Sequence, residues 1–333
     1  MSARSGGPAP PILEVTARTA RTWRRNGAAN LLRMGHCAPT VMQTLLDASG
    51  TEAPWLVKLT AGLPGGIGNT GGECGGVTAP LVLIGLRHGL EPDDDGLPTV
   101  VAKGRDLLRQ FAALEGTTAC RDIRRDARIP LRCIGVVREA PVLCAKCLCG
   151  DGAGALTAEQ RRAHGRLFAD WHAKDFHCAR SVLRHLDSAV AVDEQVLAAG
   201  SAFMGGTVFT GMTCSALTAG VMALGLATGA IENSRLRVLR MIATMAVGGD
   251  AFADRLNAFN RTMNLGHRLS QWFAAEFGST QCRAITGCDF SRLDDVDRYL
   301  DGGGTTRCQV LAQRVATRVQ AMVTGVNGLG RPQ

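Results

Sequence analysis

A chain of 333 residues is long enough for two domains of ordinary size. Aromatic residues make up only 5% of it, with Tyr299 the single tyrosine, so the core has to be built from Ala, Leu, Val and Met, which suits close-packed helices better than sheets. The formal charge of +8 comes almost wholly from arginine. Arg18, Arg21, Arg24 and Arg25, and Arg121, Arg124, Arg125, Arg128 and Arg132, form two clusters with no aromatic partner for base stacking nearby except Trp23. They read as solvated helix faces, and no nucleic-acid partner is expected.

Residues 1–11 are rich in Gly, Pro and Ser and are expected to be disordered; they carry no apolar signal-peptide core. A cytoplasmic, reducing setting is therefore expected, where the twelve cysteines point to metal or redox chemistry rather than to structural disulfides. From about Ile12 a helix-compatible stretch runs through His36-Cys37-Ala38 into PTVMQTLLD, placing Cys37, Val41 and Leu45 on one buried face. A glycine-rich run follows and ends at Cys74, after which an apolar segment of small residues continues to about Leu90. The sulfur of Cys74 sits where a flexible loop hands over to a helix, a setting of free backbone N–H groups that favours thiolate. The acidic stretch Glu91–Pro98 reads as a turn, since the spacing of a calcium loop is missing.

A further helix leads to Cys120, with Cys133 beyond it. Residues 138–156 contain Pro141, several glycines and Cys144, Cys147 and Cys149, a composition that marks a linker. These three cysteines are candidates for a second metal or redox cluster, and Cys144 with Cys147 could serve a metal-free thiol–disulfide oxidoreductase.

After this linker the chain begins again. HCAPTVMQTL from His36 answers HCARSVLRHL from His177; GLPGGIGNTGGECGGVTA from Gly62 answers the run GSAFMGGTVFTGMTCSALTA from Gly200; and Phe111 precedes Cys120 by the same nine residues as Phe273 precedes Cys282. The organisation expected is a first cysteine repeat at 12–137, the linker, a second repeat at 157–325 and a disordered tail at 326–333. Between Cys214 and Cys282 there are 22 more residues than between Cys74 and Cys120, room for one more helix in the region of Arg235 to Asn264. The fold expected is all-α, two helical-bundle units with glycine-rich loops before the central cysteine helix. No charge occurs from Gln195 to Ile231, long enough to cross a bilayer, but seven glycines and seven Ser/Thr interrupt it and its counterpart is broken by Glu73 and Pro80. A buried helix is preferred to a membrane span, with a membrane-associated transport component as the alternative.

The paired motifs resemble the family of redox-active proteins named for the pattern C_GCAxxG_C_C. On that resemblance Cys37 and Cys178 take the first cysteine position, Cys74 and Cys214 the second, Cys120 and Cys282 the third, and Cys133 and Cys308 the fourth. The motif's last glycine is replaced by Ala79 and Ala219, and Pro80 is expected to disturb the first copy's helix, so the second repeat is the better match and the first reads as altered. The resemblance implies redox or metal chemistry. Four thiolates per repeat would suit an iron–sulfur cluster, or zinc as the alternative, in an electron-transfer role with a redox partner protein. His36 and His177, next to the first cysteines, are expected in a supporting, hydrogen-bonding role rather than as ligands, because adjacent helical residues point about 100° apart.

Overall fold

A computed structural model of the chain describes residues 11, 14–89, 96–124, 131–150, 156–186, 190–247 and 258–328. Among these residues the structure is all-helical, without a strand. Residues 1–10 of the expected disordered N-terminus and much of the acidic turn lie outside the described residues, as do Arg125 and Arg128; of the tail expected to be disordered, 326–328 instead continue the last helix. The first repeat contains α1 (Ala17–Met34), α2 (Cys37–Ser49), α3 (Pro54–Thr60), α4 (Gly75–His88), α5 (Gly96–Glu115), α6 (Cys120–Ile123) and α7 (Leu131–Cys149). The second contains α8 (Ala158–Ala173), α9 (Cys178–Arg184), α10 (Glu194–Gly200), α11 (Ser215–Thr228), α12 (Arg235–Ala246), α13 (Ala258–Phe277), α14 (Cys282–Thr286), α15 (Leu293–Asp301) and α16 (Gly304–Gly328).

The order of elements repeats, with α12 and α15 as additions in the second copy. The first falls where the extra residues were expected. The continuous early helix divides instead into α1 and α2, because Gly35 adopts a left-handed conformation (φ 76°) and its N–H closes on the Leu31 carbonyl. Residues 138–156, read as a linker, are helical as far as Cys149 and pack through α7 on α1, α2, α4 and α5. Pro80 lies inside α4 without breaking it; α4 and α11 both span 14 residues. The carbonyl that a proline ring would crowd belongs to Gly76, which has no side chain to hold it in place, and burial of the whole segment from Gly75 to Leu86 keeps the helix intact. The uncharged run from Gln195 is divided between α10, a loop and α11, and no helix among the described residues is long and apolar enough to cross a membrane.

The repeats do not form separate cores. Helix α3 packs on α11 and α10 on α4, so the central helix of each repeat is seated on the other repeat. These crossings are close enough to demand glycine. A Cβ on Gly85 would lie 2.8 Å from the Ala198 carbonyl oxygen, and one on Gly225 would lie 2.4 Å from the Lys58 carbonyl oxygen. At the other end of these helices, the carboxylate of Glu73 is buried and accepts hydrogen bonds from the Thr207 hydroxyl (2.6 Å), the Thr213 backbone N–H (3.2 Å) and the Thr213 hydroxyl. The residue before Cys74 thus meets the residue before Cys214 across the junction.

Gly225→Ala is expected to lower the unfolding free energy by about 1–3 kcal/mol, the usual cost of forcing a methyl group into a filled contact. Gly135→Ala in α7, where a Cβ meets nothing within 4 Å, is expected to be neutral or stabilising by up to about 1 kcal/mol. Urea denaturation of both variants checks the pair, and equal stabilities would contradict the close crossing.

Candidate redox site

Each glycine loop winds into a left-handed turn. Five successive residues have positive φ in both copies: Gly65, Gly66, Ile67, Gly68 and Asn69, then Gly205, Gly206, Thr207, Val208 and Phe209. An L-residue held this way costs roughly 1–2 kcal/mol, and a β-branched residue such as Val208 is an outlier there. Burial offsets the cost, since Ile67, Thr207, Val208 and Phe209 are fully buried. Both repeats supply the cover: the rings of His164, Phe168, Trp171 and Phe290 pack on Phe209 from its own repeat, and the opposite repeat adds the rest. Gly266 of α13 lies against Gly68, while Gly104 of α5 makes room for Val208 and Arg105 donates to the Phe209 carbonyl at 2.7 Å.

The turns point N–H groups at the first cysteine of each repeat. The sulfur of Cys37 receives backbone hydrogen bonds from Gly65, Ala38 and Gly75 and is hydrogen-bonded to the side chain of Cys74. The Cys74 thiol contact is the largest of these effects, and together they outweigh burial and bring the Cys37 thiol down to about 7. Cys74 and Cys214 do occupy the N-cap positions of α4 and α11, as their loop-to-helix setting requires. Thiolate is nevertheless not favoured at either. The Cys37 contact, followed by burial, pushes Cys74 well up, and burial with the charge of Cys308 pushes Cys214 to about 12. Taking the sulfur out of water costs more than the helix end returns.

The third and fourth positions join the same locus. Cys120 and Cys133 lie in electrostatic range of Cys37, and burial pushes both to about 12. Arg124 stands beside Cys120, to which its side chain is hydrogen-bonded, and also donates to Asn69 in the left-handed turn at 3.2 Å. Cys37, Cys120, Cys133 and Arg124 line a cavity of about 180 Å³ together with Val238, Met241 and Ile242 of α12. In the second repeat Cys178, Cys214, Cys282 and Cys308 also converge, around a space of only about 20 Å³. Cys178 receives a backbone hydrogen bond from Gly205, but burial keeps its thiol well up. Tyr299 on the additional helix α15 donates to the Cys308 sulfur at 3.2 Å.

All twelve cysteines are free. Among the described residues no group of three or more His, Cys, Asp or Glu side chains is arranged to hold a metal ion. The sulfurs of each repeat approach one another, but as placed they do not fit around a zinc ion or cluster.

Apart from His36, which lines the Cys37 cavity, the remaining candidates stand outside the two cysteine groups. Cys144 and Cys147 are buried on α7, one helical turn apart, and burial raises Cys144 well up and Cys147 to about 12. Neighbours at this spacing on a helix have Cβ atoms about 5–6 Å apart, beyond the roughly 3.5–4.5 Å of a disulfide. Cys149 is exposed at the end of the helix. His36 and His177 are the N-cap residues of α2 and α9. Nδ1 of His177 accepts the Arg180 N–H at 3.3 Å while Nε2 faces the Ser201 carbonyl at 3.2 Å, an arrangement that assigns the proton to Nε2. Sequence reasoning missed Arg124 by grouping it with a solvated stripe; its signal was its place four residues after Cys120, where the second copy has Thr286. It also left Cys288 unassigned, a buried thiol close enough to Cys282 to act on it.

Two outcomes are expected. Iodoacetamide labelling of Cys37, followed by peptide mass spectrometry, should rise through a midpoint near 7 as the thiolate forms, and a midpoint near 9 would contradict the hydrogen-bonded setting. His177 is held neutral, first by burial and then by the Arg180 charge, which bring it to about 3 from 6.5. The unfolded chain binds this proton below 6.5 and the fold does not, so the contribution is present above 6.5 and is lost as pH falls toward 3. The urea midpoint should therefore fall between about pH 7 and about pH 4.5, and less steeply in His177→Asn, which keeps an N-cap acceptor that does not titrate. An unchanged slope in that variant would remove His177 from the account.

Two segments of the chain, residues 35–147 and 176–322, match the family described as “Putative redox-active protein (C_GCAxxG_C_C)”. No curated protein and no solved structure gave a match. The matched segments take in all eight cysteines of the paired loci and more than half of the chain, which therefore belongs to the C_GCAxxG_C_C family of redox-active proteins in two tandem copies.

Proposed function

We propose that the first repeat is a dithiol–disulfide redox centre in a reducing cytoplasm, with Cys37 as the nucleophile and Cys74 as the resolving thiol. The observation that carries this reading is the side-chain hydrogen bond between Cys37 and Cys74 at the point where three backbone N–H groups meet the Cys37 sulfur. Forming the Cys37–Cys74 bond releases two electrons and two protons to an external oxidant. The oxidoreductase reading thereby moves from Cys144 and Cys147 to this pair. The wider cavity and the lowered thiol also move the preference from the second repeat to the first.

A second reading rests on the convergence of four cysteines in each repeat: an iron–sulfur cluster, or zinc, serving electron transfer with a partner protein. It requires the sulfurs to close in further on binding.

Diamide treatment followed by peptide mapping is expected to give a Cys37–Cys74 disulfide that dithiothreitol reverses and that Cys74→Ser abolishes; its absence in the native protein would overturn the dithiol reading. Anaerobic preparation with iron, sulfide and zinc analysis decides the second. Stoichiometric metal lost in Cys178→Ser or Cys120→Ser would support it, and colourless, metal-free protein with every thiol titratable would remove it.

A further inference from the structure

We propose that the cavity in front of Cys37 is a binding site for small apolar organic hydroperoxides, which the chain reduces to alcohols; this rests on the dithiol reading above. The lining of the cavity combines apolar side chains with three cysteines and one arginine. Its walls are Leu31, Ile134, Val238, Met241, Ile242 and Met263. Arg124, hydrogen-bonded to Cys120, is the one cation among the described lining residues, and His36 precedes Cys37 in the chain. A molecule that fills the cavity has an apolar body and a small polar head at the sulfur. Hydrogen peroxide lacks the body. Disulfides built from amino-acid thiols would set ammonium and carboxylate groups against the apolar walls, where each would lose its hydration without a partner. An alkyl or aryl hydroperoxide has both parts.

The chemistry closes with the groups present. The Cys37 sulfur attacks the terminal oxygen, the O–O bond breaks, and Cys37 becomes a sulfenic acid. The departing alkoxide forms beside the Arg124 guanidinium, which is always charged and offers N–H donors to the developing negative oxygen, before it takes a proton from water. The Cys74 thiol then attacks the Cys37 sulfur, forming the disulfide and releasing water. One hydroperoxide and two thiols give one alcohol, one water and one disulfide. A dithiol reductant returns the two electrons.

The second repeat contains its own control. Its four cysteines surround a space of only about 20 Å³, and Thr286 replaces the arginine, so Cys178 and Cys214 should stay reduced under the same treatment. Three of the apolar walls in front of Cys37 belong to α12, a helix the first repeat does not possess. The second repeat thus builds the substrate wall of the first.

The test measures oxidation of Cys37 in the full reduced chain by quenched-flow alkylation and mass spectrometry, with cumene hydroperoxide, hydrogen peroxide and lipoamide as oxidants. Cumene hydroperoxide is expected to react about tenfold or more faster than hydrogen peroxide, the scale on which an apolar pocket discriminates. It should yield one cumyl alcohol per Cys37–Cys74 disulfide. Ile242→Asp and Val238→Thr, with helix content checked by circular dichroism, should each narrow the ratio of the two rates. A ratio of one or less, a faster reaction with lipoamide, or oxidation at Cys178 and Cys214 instead would overturn the proposal. Diamide separates the two levels. If diamide forms the Cys37–Cys74 bond while the peroxide preference is absent, the substrate class alone falls; if diamide forms no such bond, both fall.

Discussion

The left-handed turns of the two glycine loops are the constraint on which the rest of the structure depends. A run of five residues with positive φ is unfavourable for a free chain, above all at Thr207, Val208 and Phe209. It persists because it is buried, in part by the other repeat: α13 lies on one turn at Gly68, and α5 lies on the other at Val208 and Phe209. Each loop is therefore held from both sides, by the other repeat and by its own: Arg124 donates to Asn69, and Phe209 packs against His164, Phe168, Trp171 and Phe290. Duplication here produces one interlocked body with a shared core, and the buried Glu73 carboxylate ties its centre to Thr207 and Thr213.

That constraint sets the chemistry of the sulfurs. The strained turns exist beside the second cysteine in sequence but deliver their N–H groups to the first, at Cys37 from Gly65 and at Cys178 from Gly205. What separates the two copies is the balance between burial and hydrogen bonding. Cys37 gains the Cys74 thiol and the N–H groups of Ala38 and Gly75, which together overcome its burial; Cys74 is raised first by the Cys37 contact and then by burial, and the other shifted thiols are raised mainly by burial. Similar backbones therefore hold sulfurs of opposite character, and a helix N-terminus by itself does not make a thiolate.

The additions to the second copy act on both loci. Helix α12 crosses to the first repeat, packs on α1 and walls the Cys37 cavity, while α15 brings Tyr299 to Cys308 within its own repeat. The first locus is left open enough for a small molecule, and the second is filled. Departures from strict repetition thus give the sulfurs of the two copies different surroundings.

Much of this was legible in the residues. The low aromatic content and the periodicity around Val41 and Leu45 gave helices, the recurring His-Cys and Gly-Cys patterns gave two copies, and the spacing excess located α12. The four-cysteine grouping in each copy was likewise visible in the order of its motifs. Other features were not, for physical reasons. The division of the early helix at Gly35 depends on a single left-handed residue. Residues 138–149 are helical rather than a linker because Pro141, Cys144 and Cys147 are buried where α7 packs on four other helices, and burial overrides local composition. Arg124 looked like one more surface charge until the loop turned Asn69 toward it. The sequence by itself determined which residue types recur and at what spacing, since those are properties of the chain. Only the tertiary structure decided which sulfur is activated and which cavity stays open, because both are set by desolvation and by N–H groups and helices from distant parts of the chain.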